Sequence, residues 1–349
     1  MTDLPTRFRA QAEQCALHGS PLTAGLLYGA ADEYDAGGVV RELLLPLAED
    51  PSGSVPSLRF AGGLHREVLA GSAPDLARHY PSVGGTAGPD GAWRAARLLI
   101  EQRADELAPH LQRPVQTNEV GRAAALYGGL LHVAARHRRP VRLLEIGASA
   151  GLNLRPDRFA YELADGRVLG DPLSPVRLRN PWRGAHPPGE VDLVLASRAG
   201  CDPAPLDPGV EADRLTLLSY VWADQLDRVD RLRGALRVAA EQPLPVERLP
   251  ASEFLRRELA EPVVGVATVV WHSVVRQYLD PEERAEVDAI LAEAGERASV
   301  HAPLVRLSLE PEKKVQSTFR FLVEMTTWPA GETRLLAECL GHGPPVTWS

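Results

Sequence analysis

Cysteine is scarce. The 349 residues hold three, Cys15, Cys201 and Cys339, odd in number and far apart, which speaks against a disulfide framework and a cysteine-built zinc site. Lysine is scarcer still. It occurs only at Lys313 and Lys314, every other basic position being Arg, a usage that reflects GC-rich coding rather than function. Positive charge in excess is also missing: the net charge is −8 at pH 7, so bulk electrostatics draws the chain neither to nucleic acid nor to anionic membrane. No apolar run reaches membrane-spanning length, and the opening Met1-Thr-Asp-Leu-Pro-Thr-Arg-Phe-Arg lacks the apolar core of a signal peptide. A cytoplasmic location is therefore expected, with a small molecule as partner and neither membrane nor nucleic acid. His132 and His137 stand five apart without acidic companions, so no metal is expected.

What remains is an ordinary globular composition, 44% hydrophobic and 24% charged, in a chain long enough for two domains. Up to about Arg138 the signals are helical. Ser20-Pro21 reads as a cap and first-turn proline leading into Leu22–Tyr34, Trp93–Leu107 carries apolar residues at helical spacing, and a third helix spans Asn118–His137. From Val141 onward strands and helices alternate. Val141–Ile146, Val191–Ala196, Pro245–Leu249, Val263–Trp271, Leu304–Leu309, Phe319–Thr327 and Pro345–Trp348 read as strands, and Arg158–Asp171 as a hairpin around Ala164-Asp-Gly166. Asp213–Glu241 reads as largely helical, Asp280-Pro-Glu-Glu283 supplies an N-cap, a first-turn proline and a capping-box Glu, and Glu332–Leu340 reads as a helix closed by Gly341. The pattern predicts an all-helical domain over residues 1–138, then an α/β domain over 139–349 with a parallel sheet covered on both faces.

The most informative stretch is Val141-Arg-Leu-Leu-Glu-Ile-Gly-Ala-Ser-Ala-Gly-Leu-Asn153, an apolar run ending in an acid and a turn with Gly147 and Gly151. A dinucleotide fingerprint would need glycine at Ser149 and Leu152, and no Gly-Lys-Ser/Thr is present. Acidic-x-Gly-x-x-x-Gly resembles the first motif of class I S-adenosylmethionine-dependent methyltransferases. The resemblance implies a Rossmann-like, three-layer αβα sheet, with Glu145 facing the methionine end of the cofactor and Gly147, Ser149, Gly151 and Asn153 passing beneath it. The closing strands and Thr268–Tyr278, placed after the fourth strand of such a sheet, look alike too. Across nearly its whole length the chain is similar to the bacterial domain-of-unknown-function family 2332, through His79-Tyr-Pro-Ser-Val-Gly-Gly85, Pro114–Arg122, Glu145–Asn153, Gly200-Cys-Asp202, Val221–Gln225 and Val270-Trp-His-Ser273.

Candidate residues follow. Asp202, after the second strand, stands for the ribose-binding acid of such methyltransferases. Asn118, Glu119 and Arg122 share one helical turn and either line the cofactor pocket or, for Asn118 with Thr117, cap the helix. His272 is the one side chain of its segment able to take a proton near neutral pH, so His272 and Ser273 are the catalytic candidates. Tyr80, Trp222, Asp224, Gln225 and Trp271 are candidates for the substrate pocket, the aromatics because a sulfonium is a cation. Cys201 reads as a small buried residue. The expectation is methyl transfer from S-adenosylmethionine to a small-molecule O, N or S acceptor. A non-catalytic S-adenosylmethionine-binding sensor or interaction module, or another nucleotide-using α/β enzyme, stays open beside it, and the oligomeric state is not legible.

Overall fold

Asp3 opens the first helix: its carboxylate accepts from the Thr6 N–H at 3.0 Å, satisfying a donor that a helix start leaves unpaired. In the computed structural model, which describes residues 3–50, 54–313 and 319–349, the helices are α1 (Leu4–Leu17), α2 (Pro21–Ala36), α3 (Val39–Leu44), α4 (Pro56–Leu69), α5 (Pro74–Ala77), α6 (Ala92–Leu111), α7 (Ala123–His137), α8 (Glu211–Ser219), α9 (Leu226–Glu241), α10 (Ala251–Glu258) and α11 (Pro281–Arg297). The strands are β1 (Val141–Ile146), β2 (Ala160–Glu162), β3 (Val168–Gly170), β4 (Arg177–Arg179), β5 (Trp182–Gly184), β6 (Leu195–Asp202), β7 (Glu247–Arg248), β8 (Ala267–Ser273), β9 (Leu304–Lys313), β10 (Phe319–Trp328), β11 (Glu332–Leu340) and β12 (Gly343–Trp348).

Two compact units result, residues 1–117 with 210–233 and residues 118–209 with 234–349. The 1–138 domain read from the sequence thus differs from the first unit: α7 belongs to the unit that holds the sheet, and residues 210–233 join the helical one. The first unit is helical around one apolar core that includes Phe8, Leu27, Phe60, Leu64 and Ile100. Its α2 starts at Pro21 as expected, but Ser20 makes no capping bond to it. Asp224 does that work instead, its carboxylate accepting from the Leu22 N–H at 3.0 Å and from the Ser20 hydroxyl.

The second unit is mixed α/β. Its nine-stranded sheet runs β5-β12-β11-β10-β9-β8-β1-β6-β7, and β3-β2-β4 form a small second sheet. Five of the eight neighbour pairs in the large sheet are parallel, including the whole series β7-β6-β1-β8-β9. The three antiparallel ones run from β9 through β10 and β11 to β12. Leu144, Ile146 and Val270 pack with Phe254 and Leu255 of α10 and Val287 and Leu291 of α11. On the opposite face, α7 approaches so closely that a Cβ on Gly129 would lie 2.5 Å from Leu307. Helices therefore cover both faces.

Three segments depart from the sequence reading. Glu332–Leu340 is a strand, not a helix: Gly331, at φ 67°, turns the chain so that Glu332 pairs with Thr327, and ladder bonds to a ten-residue partner override the helix preference of Leu-Leu-Ala-Glu. The second strand lies at Leu195–Asp202 rather than Val191–Ala196. The strand runs on through Arg198, whose charge is satisfied at the sheet by Asp157 at 2.8 and 3.1 Å. Glu283 does not close a capping box. It binds the Ser252 N–H and hydroxyl, while Asp280 caps α11 by accepting from the Glu283 N–H at 2.8 Å.

Candidate functional site

Chain order creates the site. From β1 the sheet grows to one side through β6 and β7, then the chain returns to lay β8 and β9 on the other side. The carboxyl ends of β1 and β8 thus flank a topological switch point, the place where open α/β sheets leave a crevice. Glu145 and Trp271 are register partners there, 2% and 0% exposed.

Among the described residues, Glu145 Oε2 and Trp271 Nε1 have no hydrogen-bond partner, nor has Asn153 Oδ1. Buried polar atoms are usually paired, and further unpartnered ones occur elsewhere in the fold, at Tyr80, Thr327 and Trp348 among others. Burial pushes the Glu145 carboxyl up to about 8, and the Asp202 carboxylate adds to the rise. Arg122, the Trp271 N–H, which is near but outside hydrogen-bond geometry, and Arg155 oppose it. The carboxyl is therefore neutral at pH 7 and able to donate as well as accept.

The glycine turn is held from several directions. Gly147, Ser149 and Gly151 all have positive φ, at 66°, 53° and 65°. Asp202 accepts from the Ser149 N–H and the Ala204 N–H, each at 2.9 Å. Asn118 Oδ1 accepts from the Leu152 N–H at 2.8 Å, and the Asn153 side-chain amide donates to the Glu119 carbonyl at 3.2 Å. Arg155, which the sequence reading passed over, donates to the Gly151 carbonyl at 2.8 Å and to the Gln242 carbonyl at 3.0 and 2.6 Å. Glu119, rather than Thr117 or Asn118, is the cap of the following turn, accepting from the Gly121 N–H at 3.0 Å. Arg122 bridges the Gly341 carbonyl at 3.0 Å and the Ser273 carbonyl at 3.2 Å. Asn118, Glu119 and Arg122 are thus brought to the switch point, as braces of its backbone.

The glycines carry less than the motif promised. A Cβ on Gly147 would lie 2.3 Å from Val275, and one on Gly151 would lie 2.8 Å from Val246. Positive φ and close packing by the protein itself already demand glycine at both positions.

Side chains alternate along a strand, so His272 projects from the face opposite Trp271 and Glu145, toward α11. It is 1% exposed, with Nδ1 at 2.7 Å from Glu310 Oε1 and Nε2 without a partner among the described residues. Glu310 Oε1 also accepts from the Val275 N–H at 3.2 Å and the Arg276 N–H at 3.4 Å. Sequence reasoning missed Glu310, which no local pattern ties to a histidine 38 residues away.

Tyr80, Trp222, Asp224 and Gln225 belong to the first unit. Tyr80 and Trp222 line a cavity of about 30 Å³ with Thr23, His65 and Ser219, room for water and little more. Gln225 binds the His18 carbonyl at 2.9 Å and the Arg228 guanidinium at 2.5 Å. Cys201 is buried, its thiol pushed up to about 12 by that burial, so it is no nucleophile at neutral pH. Among the described residues, no group of three or more His, Cys, Asp or Glu is placed to hold a metal ion, and no helix is long and apolar enough to cross a membrane.

No curated protein matches the chain. The family model described as an uncharacterized protein conserved in bacteria, DUF2332, matches residues 5–348, and the chain belongs to that family.

Proposed function

We propose that the second unit binds S-adenosylmethionine at the carboxyl edge of β1 and β8 and transfers its methyl group to a small-molecule O, N or S acceptor. The observation that carries this reading is the set of unpartnered buried atoms at the switch point, Glu145 Oε2, Asn153 Oδ1 and Trp271 Nε1. Two oxygens and one N–H suit an amino-acid end that offers an ammonium and a carboxylate. The parallel order β7-β6-β1-β8-β9 supports a Rossmann-like arrangement with the crevice on the correct edge. Asp202 spends lone pairs on the Ser149 and Ala204 N–H groups and retains others for a hydroxyl. When bound, the cofactor supplies an electrophilic methyl carbon, and the electron pair of the broken S–CH3 bond stays on sulfur.

The test is a calorimetric titration with S-adenosylmethionine, S-adenosylhomocysteine and NAD. The reading expects a Kd for the first two between low micromolar and sub-millimolar, roughly −5 to −8 kcal/mol, weakened in Glu145→Ala. Binding of NAD with neither of the others would refute it.

A further inference from the structure

We infer that Glu310 is the positioning residue that makes His272 a proton acceptor, and that the methyl acceptor is accordingly a neutral hydroxyl or amine. The inference rests on the methyl-transfer reading and deepens it. An imidazole can offer a lone pair at one nitrogen only if its proton is kept on the other. Three groups face Glu310 Oε1: His272 Nδ1 at 2.7 Å and the backbone N–H groups of Val275 and Arg276. The two backbone donors fix this oxygen as an acceptor, so the third neighbour, Nδ1, must carry the proton. Nε2 is then the lone-pair nitrogen, and it is the atom left without a partner among the described residues.

The surroundings disfavour an anionic acceptor, and an ammonium has no lone pair to offer the methyl carbon. Among the described residues Glu310 Oε2 also has no partner, and this carboxylate disfavours a second anion beside it. Arg276, whose backbone N–H faces Glu310, has its guanidinium engaged by Asp288 through two bonds of 2.7 and 2.6 Å, and Arg306 lies 3.5 Å from the same carboxylate. A neutral O–H or N–H donor complements Nε2. As its lone pair forms the bond to the methyl carbon, its proton passes to Nε2, and the resulting imidazolium faces the Glu310 carboxylate through Nδ1–H. The proton leaves to solvent after the product.

Histidine tautomers are read directly from ¹⁵N ring resonances of the full chain labelled at histidine, with His272→Gln identifying the signal among ten histidines. The parent should show a protonated Nδ1 and an unprotonated Nε2 at His272. Glu310→Gln, whose carbonyl the same two backbone N–H groups orient, should keep that tautomer; Glu310→Ala should lose it. A parent with Nε2–H, a switched tautomer in Glu310→Gln or an unchanged one in folded Glu310→Ala each overturns the assignment. If Glu310→Ala does not fold, the parent and Glu310→Gln spectra still decide. A second readout separates a working base from a structural ion pair: saturating S-adenosylhomocysteine should move the Nε2 resonance. Binding without movement refutes the role of His272 alone, whereas no binding refutes the methyl-transfer reading and leaves the tautomer result standing.

Discussion

Replacing Glu145 by Gln should change how stability depends on pH. In the folded chain the Glu145 carboxyl titrates at about 8, against an ordinary value of 4.5, because burial and the Asp202 carboxylate oppose its charge. Between those two values the folded state holds a proton that the unfolded state has released, so stability falls as pH rises through the window. Below 4.5 the residue costs nothing by this route; above about 8 the full cost is present. At 1.36 kcal/mol per pH unit the total is roughly 5 kcal/mol. The Glu145→Gln side chain keeps the shape of the protonated form and never ionises. Urea unfolding of parent and variant at pH 5, 6, 7, 8 and 9 isolates the effect, since groups common to both cancel. One of these is His65, which burial pushes down to about 4 and whose contribution has the opposite sign. The stability difference should move in favour of the variant by several kcal/mol from pH 5 to pH 9. A difference constant within about 1 kcal/mol over that range would refute a neutral buried Glu145.

Asn118→Ala should lower stability by about 1–3 kcal/mol, because the buried Leu152 N–H loses its acceptor; chemical denaturation measures this, and an unchanged midpoint would show that the turn repacks. Gly147→Ala should cost more than the roughly 1 kcal/mol of a strained φ, since its Cβ meets Val275. A double-mutant cycle with Val275→Ala should return a coupling of about 0.5–3 kcal/mol, and strict additivity would place the clash elsewhere. His272→Ala should reduce methyl transfer about 10²- to 10⁴-fold with S-adenosylmethionine affinity nearly unchanged; full turnover per folded molecule would remove His272 from the chemistry.

The parts legible in the sequence share a local cause. β1 is a continuous apolar run and α11 begins with Asp280 and Pro281, so neither needed distant information. β11 was hidden because its residues prefer helix and only pairing with β10 and β12 decides otherwise. The candidate site was legible as a set of residues but not as a set of roles. Asn118, Glu119, Arg122, Glu145, Asn153 and Trp271 do come together at the strand ends, while His272 points to the other face. Yet Asn118 and Arg122 spend their side chains on backbone groups of Leu152, Gly341 and Ser273, partners that no spacing announces. The strand alternation that sends Trp271 and His272 to opposite faces was available in the sequence, whereas the Glu310 partner was set by the β8-β9 register alone.

That register has a mechanical consequence. β8 is clamped by parallel ladders on both sides, with Trp271 opposite Glu145 on one and Leu307 on the other. Sliding it by one residue would exchange the faces of Trp271 and His272, and would break both ladders at once. The indole and the imidazole are therefore held in fixed directions before any ligand arrives, and little orientational freedom is left to lose on binding. Only in the turns beyond Ile146 and Ser273 does the chain leave these ladders, and the strand ends behave as a rigid last.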